Sequence, residues 1–145
     1  MKIKECMCLD VCYCNKETTV SEVAKLMNER HIGCVPICDE NKNIEGIITD
    51  RDIVLRCVAC GKDVNTTTVK DIMTCNVCYC QADGDISEAM NLMTDLQIRR
   101  IPVVENNKIV GMLTIGDIAK DKNIGAKAVS DTIEGICDCN KNNAE

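Results

Sequence analysis

A chain of 145 residues has room for one ordinary domain or two very small ones. Phe and Trp are absent and only two Tyr occur, yet 46% of the residues are hydrophobic, so Ile, Val, Leu, Met and thirteen Cys must build the core. Seventeen basic against 23 acidic residues, net −6, argue against binding along a polyanion, and hence against nucleic acid. No apolar run approaches the roughly 18–20 residues that span a bilayer, and MKIKECMCLD lacks the apolar stretch of a signal peptide. A cytoplasmic protein with no membrane partner is expected.

In chain order, VCYC at 11–14 is a short β-compatible run. Thr19-x-x-Glu22 is a capping-box start for a helix over 20–30, with Val20, Val23, Ala24 and Met27 on one face. CVPIC is an apolar strand, a turn rich in Asn, Lys and Glu follows, and IEGIIT is a further strand leading into a helix near Asp50. After the polar stretch GKDVNTTT the order recurs. VCYC at 77–80 is a strand, Asp85-x-x-Glu88 opens a helix over 86–96 with Ile86, Ala89, Met90 and Met93 inward, IPVV and IVGMLT are strands, and a helix begins near Ile115. Ala126–Ile133 is one more helical candidate, and CDCNKNNAE is a polar end expected to fray.

The recurrence is an internal repeat. Shifted by 66 residues, Lys4, Met7, Val11, Cys12, Tyr13, Cys14, Ser21, Glu22, Leu26, Met27, Ile32 and Pro36 meet identical residues; at offset 65, Gly46, Thr49, Asp52 and Ile53 meet Gly111, Thr114, Asp117 and Ile118. Each copy is β–α–β–β–α. Neither copy alone buries much surface, so an α+β fold is expected, with two βαββα units packed sheet to sheet in pseudo-twofold symmetry. The predicted division is 1–62 for the first unit, 63–68 for the connector, 69–123 for the second unit and 124–145 for a helix and flexible Cys-containing tail.

The motif with most chemistry is Gly-x-x-Thr-x-x-Asp, GIITDRD at 46–52 and GMLTIGD at 111–117. The Gly admits another chain segment or a ligand close to the backbone. Thr and Asp, three apart across a strand-to-helix junction, can face one cleft, where the carboxylate accepts two hydrogen bonds from a vicinal diol, as in a ribose. Thr-x-x-Asp is equally a helix-capping pattern, so both roles stand open.

With HIGCVPI, QIRRIPVV, TVSEVAKLM, DISEAMNLM and TDRDIV, these motifs resemble the tandem cystathionine-β-synthase (CBS) domain pair, or Bateman module, over roughly residues 3–121. TDRDIV and the connector look like its small stand-alone bacterial members. The resemblance implies a regulatory protein, commonly a homodimer, that binds AMP, ADP, ATP or S-adenosylmethionine in clefts between the two units and signals to a protein effector. Carried onto this chain, it makes Thr49, Asp52, Thr114 and Asp117 ribose contacts. It makes Ile32, Cys34, Val35 and Pro36, with Ile98, Arg100, Ile101 and Pro102, the frame of adenine. The family also places basic residues so that Arg51, Arg99 and Arg100 become phosphate candidates, suited by their planar donors; surface ion pairing is the competing role. Tyr13 and Tyr79 face outward if their flanking thiols face the core, toward a cleft or toward solvent.

No nucleophile–base pair, Walker loop or Rossmann loop is present, so no catalysis is expected. His31, the only histidine, ends a helix, where it caps or meets the dipole, with a phosphate contact as the other role. The thiols fall in Cys-x-Cys and Cys-x-x-Cys pairs that can chelate a metal or form a redox disulfide. Cys12, Cys14, Cys34, Cys78 and Cys80 lie in predicted core strands and read as small buried hydrophobes. Cys137 and Cys139, in a polar segment, are the candidate metal or redox pair, and a cysteine-based metal or redox protein is the alternative function.

Overall fold

The structure, a computed structural model, describes residues 1–139. Its elements are α1 (Val20–Arg30), β1 (Cys34–Cys38), β2 (Ile44–Thr49), α2 (Asp50–Asp52) running on as a π-helical stretch Ile53–Val58, β3 (Cys80–Gln81), α3 (Ile86–Leu96), β4 (Arg100–Glu105), β5 (Lys108–Thr114), α4 (Ile115–Lys120) and α5 (Ala126–Ile136). Single 3-10 turns at Ile3–Glu5 and Val69–Asp71 lead into the two repeats. The fold is α+β with two small sheets, antiparallel β1–β2 and β3–β4–β5, in which β3 and β4 run parallel.

The helices form where periodicity and caps agree. Thr19 accepts from the Glu22 amide at 3.2 Å while the Glu22 carboxylate accepts from the Thr19 amide at 3.0 Å, closing the expected capping box. Losing such a cap costs about 1 kcal/mol. Asp85 instead takes the Ser87 amide at 2.8 Å, a simpler cap. Both helices end on a left-handed residue, His31 and Gln97, each at φ 54°, whose amides close the last turn on Met27 and Met93. His31 therefore caps α1 through its backbone. α1 buries Val20, Val23 and Met27, with Ala24 only half-buried; α3 buries Ile86, Ala89, Met90 and Met93.

The VCYC runs are not full strands. Residues 11–13 and 77–79 lie outside the ladders; only Cys14 bridges to Ile37, and β3 starts at Cys80. The reason is a shortage of partners: β-propensity forms no strand where no neighbour supplies hydrogen bonds. Cys78 is accordingly exposed and Cys12 half-buried, a correction to their expected core placement, whereas Cys34 and Cys80 are buried.

The chain forms two compact units that cut across the repeats. One comprises Met1–Val11, Cys78–Asn106 and the chain from Val110 on; the other comprises Cys12–Val77 with Asn107–Ile109. Thus Ile3 is buried with Met93, Ile101, Leu113 and Ile118, while its repeat counterpart Val69 is buried with Val23, Val35, Ile37 and Ile48. The leading turns are fastened alike. The Ile3 and Lys4 amides donate to Gly84 and Ala82 carbonyls, and Lys4 Nζ meets Asp83 at 2.7 Å. In the other unit the Val69 and Lys70 amides donate to Thr18 and Lys16 carbonyls, and Lys70 Nζ meets Glu17 at 3.2 Å.

Candidate functional site

Each unit carries one Gly-x-x-Thr-x-x-Asp junction, where an edge of the sheet turns into a helix. In one, Thr49 Oγ1 accepts from the Asp52 amide at 3.2 Å and Asp52 Oδ2 accepts from the Thr49 amide at 3.0 Å. In the other, Thr114 Oγ1 accepts from the Asp117 amide at 3.1 Å, and Asp117 Oδ2 accepts from the Thr114 amide at 2.9 Å and its hydroxyl at 2.7 Å. The capping role is therefore real, and it draws only on Oδ2. A carboxylate has about four lone-pair sites, so capping leaves acceptor capacity for a diol.

The predicted frame lies beside each junction. Cys34 pairs with Thr49 across β1–β2, and the Asp50 amide donates to the Gly33 carbonyl at 3.0 Å. Likewise the Ile115 amide donates to the Arg99 carbonyl at 2.9 Å. Within that frame Val35 and Ile101 are fully buried among core side chains, so their backbone, not their side chains, is what they can offer a base. Cys34, Pro36 and Pro102 are also buried, Ile32 and Ile98 half-buried, and Arg51, Arg99 and Arg100 exposed at the margin. Tyr13 and Tyr79 are 42% and 43% exposed, equivalent in the two repeats.

The motif glycines serve another chain segment. A Cβ on Gly46 would lie 2.7 Å from Met73 Sδ and 3.0 Å from the Thr74 carbonyl; on Gly111 it would lie 2.6 Å from Met7 Sδ and 2.9 Å from the Cys8 carbonyl. Of the two roles open to these glycines, admitting a neighbouring segment is filled by residues 73–74 and 7–8.

The junctions differ in charge. Arg56 Nε is 3.8 Å from Asp52 Oδ1, and Arg56 Nη1 donates to the Ile72 carbonyl at 3.1 Å. At offset 65 its counterpart is Asp121, which with Asp117 and the larger effect of burial raises the pKa of the Cys6 thiol. Arg56 was not among the expected site residues. Its i, i+4 spacing from Asp52 on the helix is the signal that points to it.

Burial also pushes the Cys14 and Cys80 thiols up, and that of Cys38 to about 11, so these sulfurs stay protonated near neutrality and act as packing. All thirteen cysteines lie among the described residues, and none is in a disulfide. Cys137 and Cys139 are exposed, with Cys139 Sγ 3.7 Å from the Cys137 carbonyl. Among the described residues no three His, Cys, Asp or Glu side chains gather to hold a metal ion, so the tail pair lacks further protein ligands there. The rest of the predicted frayed end, residues 140–145, lies outside the described residues.

No helix among the described residues is long and apolar enough to cross a membrane. The chain is 35% identical over 119 residues to hypoxic response protein 1 of Mycobacterium tuberculosis, covering 82% of each chain. It is 37% identical over 138 residues to the uncharacterized protein YlbB of Bacillus subtilis, covering 92% of this chain and 93% of that one. The crystal structure of hypoxic response protein I with two coordinated zinc ions superposes with a TM-score of 0.76 at 34% identity, over 83% of this chain and 98% of that one. The CBS domain pair of protein MJ0100 in complex with 5′-methylthioadenosine and S-adenosyl-L-methionine superposes with a TM-score of 0.73 at 28% identity, over 83% of this chain and 94% of that one. The CBS-domain model matches twice, at residues 3–58 and 69–122, and the chain belongs to the CBS-domain family as a tandem pair.

Proposed function

We propose that this CBS pair is a non-catalytic regulatory module that binds an adenosyl ligand at its Thr-x-x-Asp junctions and signals, as a homodimer, to a protein effector. The observation that carries this is the matched geometry of Thr49–Asp52 and Thr114–Asp117, each with a carboxylate held by its cap and one oxygen outside it. The complex of the MJ0100 pair with S-adenosyl-L-methionine and 5′-methylthioadenosine supports an adenosyl ligand. Arg51, Arg99 and Arg100 are the side chains for a phosphate, favouring AMP, ADP or ATP where they are engaged. The ligand regulates by preferring one conformer of the pair. The same reading places the module in the cytoplasm, where its thirteen thiols would stay reduced.

Calorimetric titration with AMP, ADP, ATP and S-adenosylmethionine tests this, repeated on Asp52→Asn and Asp117→Asn, which keep a capping acceptor but lose the charge. Affinity falls by about 10- to 100-fold at the affected junction, the worth of a hydrogen bond to a charged group. Binding insensitive to both substitutions refutes the assignment.

A second role is supported by the zinc ions of the similar hypoxic response protein I structure, namely metal binding through the surface thiols, with Cys137 and Cys139 as first ligands. Metal analysis after anaerobic purification decides it; metal-free protein whose thirteen thiols all titrate as free once it is unfolded removes it.

A further inference from the structure

Arg56 touches two things at once. Its Nε is 3.8 Å from Asp52 Oδ1, the oxygen that the helix cap leaves unused, and the Asp52 side chain is only 13% exposed. Its Nη1 donates to the Ile72 carbonyl at 3.1 Å and to the Met73 carbonyl at 3.4 Å. Those carbonyls belong to the segment that opens the second repeat. Val69 and Ile72 are buried in this unit's core, Met73 packs against Gly46, and Thr74 exchanges two backbone hydrogen bonds with Ile47, each 2.9 Å. Three residues further, at Val77, the long continuous stretch of the unit ends. The fold does not demand the arginine. At offset 65 its place is taken by Asp121, just past the end of α4, and an ionised carboxylate has no hydrogen to give the equivalent carbonyls of Cys6 and Met7.

A guanidinium that shares a carboxylate oxygen with a ligand links that ligand to whatever else it holds. A diol on Asp52 Oδ1 takes from Arg56 its counter-charge. The Arg56 side chain is 51% exposed, so water can then satisfy its donors, and its grip on the two carbonyls weakens. We propose that Arg56 is a coupling residue: occupation of Asp52 by an adenosyl ligand frees it, and the Ile72–Thr74 segment at the head of the second repeat loosens. This rests on the ligand proposed above and adds the route by which its binding reaches the chain beyond the junction. Coupling between two sites is reciprocal, so the latched segment weakens the ligand as much as the ligand loosens the segment. A partly exposed ion pair shifts such an equilibrium by up to about 5-fold.

Residue-resolved amide hydrogen exchange of the full chain, with and without saturating AMP or S-adenosylmethionine, is the test, with binding itself followed by calorimetry. The Ile47 and Thr74 amides, which close the bridge, exchange about 3- to 5-fold faster when ligand is bound. The Cys8 and Met112 amides of the equivalent bridge, where Asp121 stands in place of Arg56, do not quicken. Arg56→Met exchanges at the faster rate without ligand and gains nothing when ligand is added. An arginine with a structural role alone would quicken exchange on removal too, but the wild type would then show no response to ligand. Asp52→Asn keeps a capping acceptor and quickens the same two amides with no ligand present, which keeps the test decisive should Arg56→Met fail to fold. A wild type that binds ligand with unchanged exchange at Ile47 and Thr74, or an Asp52→Asn chain that exchanges as the wild type does, overturns the coupling and leaves the ligand reading standing. Absence of binding by AMP, ADP, ATP and S-adenosylmethionine alike overturns both.

Discussion

Replacing Gly111 by Ala adds a single carbon, and the structure says where it goes. That carbon would sit 2.6 Å from Met7 Sδ, 3.1 Å from Met7 Cγ and 2.9 Å from the Cys8 carbonyl oxygen. Favourable contacts between such atoms lie near ~3.5–4.0 Å, so the thioether must retreat by about 1 Å. Met is flexible and can do so. The Cys8 carbonyl cannot move freely, because it accepts from the Met112 amide at 3.0 Å while the Cys8 amide donates to the Met112 carbonyl at 2.8 Å. The new carbon therefore pushes on a two-bond bridge that fastens the first repeat's leading segment to the second repeat's sheet. Overpacking of this kind costs about 1–3 kcal/mol, and weakening the bridge adds about 1 kcal/mol per hydrogen bond. Urea unfolding should show Gly111→Ala less stable by about 2–4 kcal/mol, with Met7→Ala in the same chain recovering the sulfur part in a double-mutant cycle. Gly116→Ala is the control. It lies in α4 with no neighbour nearer than 3.5 Å, and it should be neutral or stabilise by up to about 1 kcal/mol. Gly111→Ala with wild-type stability would show that these glycines are not there to admit the methionines.

Gly135→Ala, in α5, would drive a methyl into Thr94 of α3, and destabilisation of about 1–3 kcal/mol in denaturant melts should largely vanish when Thr94→Ala is added. Arg56→Met removes the donor to the Ile72 carbonyl and the ion pair to Asp52, with a loss of about 1–2 kcal/mol expected from urea curves. The buried thiols fix an alkaline limit. Cys38 moves from 9.0 to about 11 on folding, so above pH 9 the unfolded chain holds fewer protons than the folded one. That contribution to stability is complete below pH 9 and is lost as pH rises toward 11. Thermal melts across this range should fall less steeply in Cys38→Val than in wild type; parallel slopes refute the assignment.

What could be read from the chain was whatever its local pattern determines. α1 and α3 were legible because apolar spacing, a capping residue and a polar outer face agree at each, and β1, β2, β4 and β5 because short apolar runs are bounded by turn residues. VCYC misled for the reverse reason. Its residues suit a strand, but Cys14 and Cys80 alone reach a neighbour's backbone. The pairing of leading turns with cores was also invisible. Ile3 and Val69 are both apolar residues at the head of a repeat, and nothing near either one states which sheet it will meet.

The residues alone leave two meanings open for Thr-x-x-Asp, cap or ligand contact; the geometry shows the cap, and a cap on Oδ2 does not by itself exclude the contact proposed above. A capped aspartate holds Oδ2 on the preceding threonine's amide, which fixes the rotamer and so the direction of Oδ1. An exposed, uncapped carboxylate would have to be ordered when a ligand arrives, at a cost of roughly 0.5–1.5 kcal/mol per side chain. Here folding has already met that cost, twice, at equivalent places. On the proposed reading, the cap is the means by which the chain would keep an acceptor aimed in advance of a ligand. The junctions differ in what surrounds the carboxylate: Arg56 lies beside Asp52, whereas the Thr114 hydroxyl donates to Asp117, and Asp117 acts with Asp121 on the Cys6 thiol. A guanidinium within 4 Å competes for the carboxylate that a diol would use, and no such cation pairs with Asp117 among the ion pairs of the described residues. Equal caps with unequal neighbours thus predict two junctions of different affinity for one ligand, and a two-site calorimetric isotherm that Arg56→Met brings closer to a single-site one.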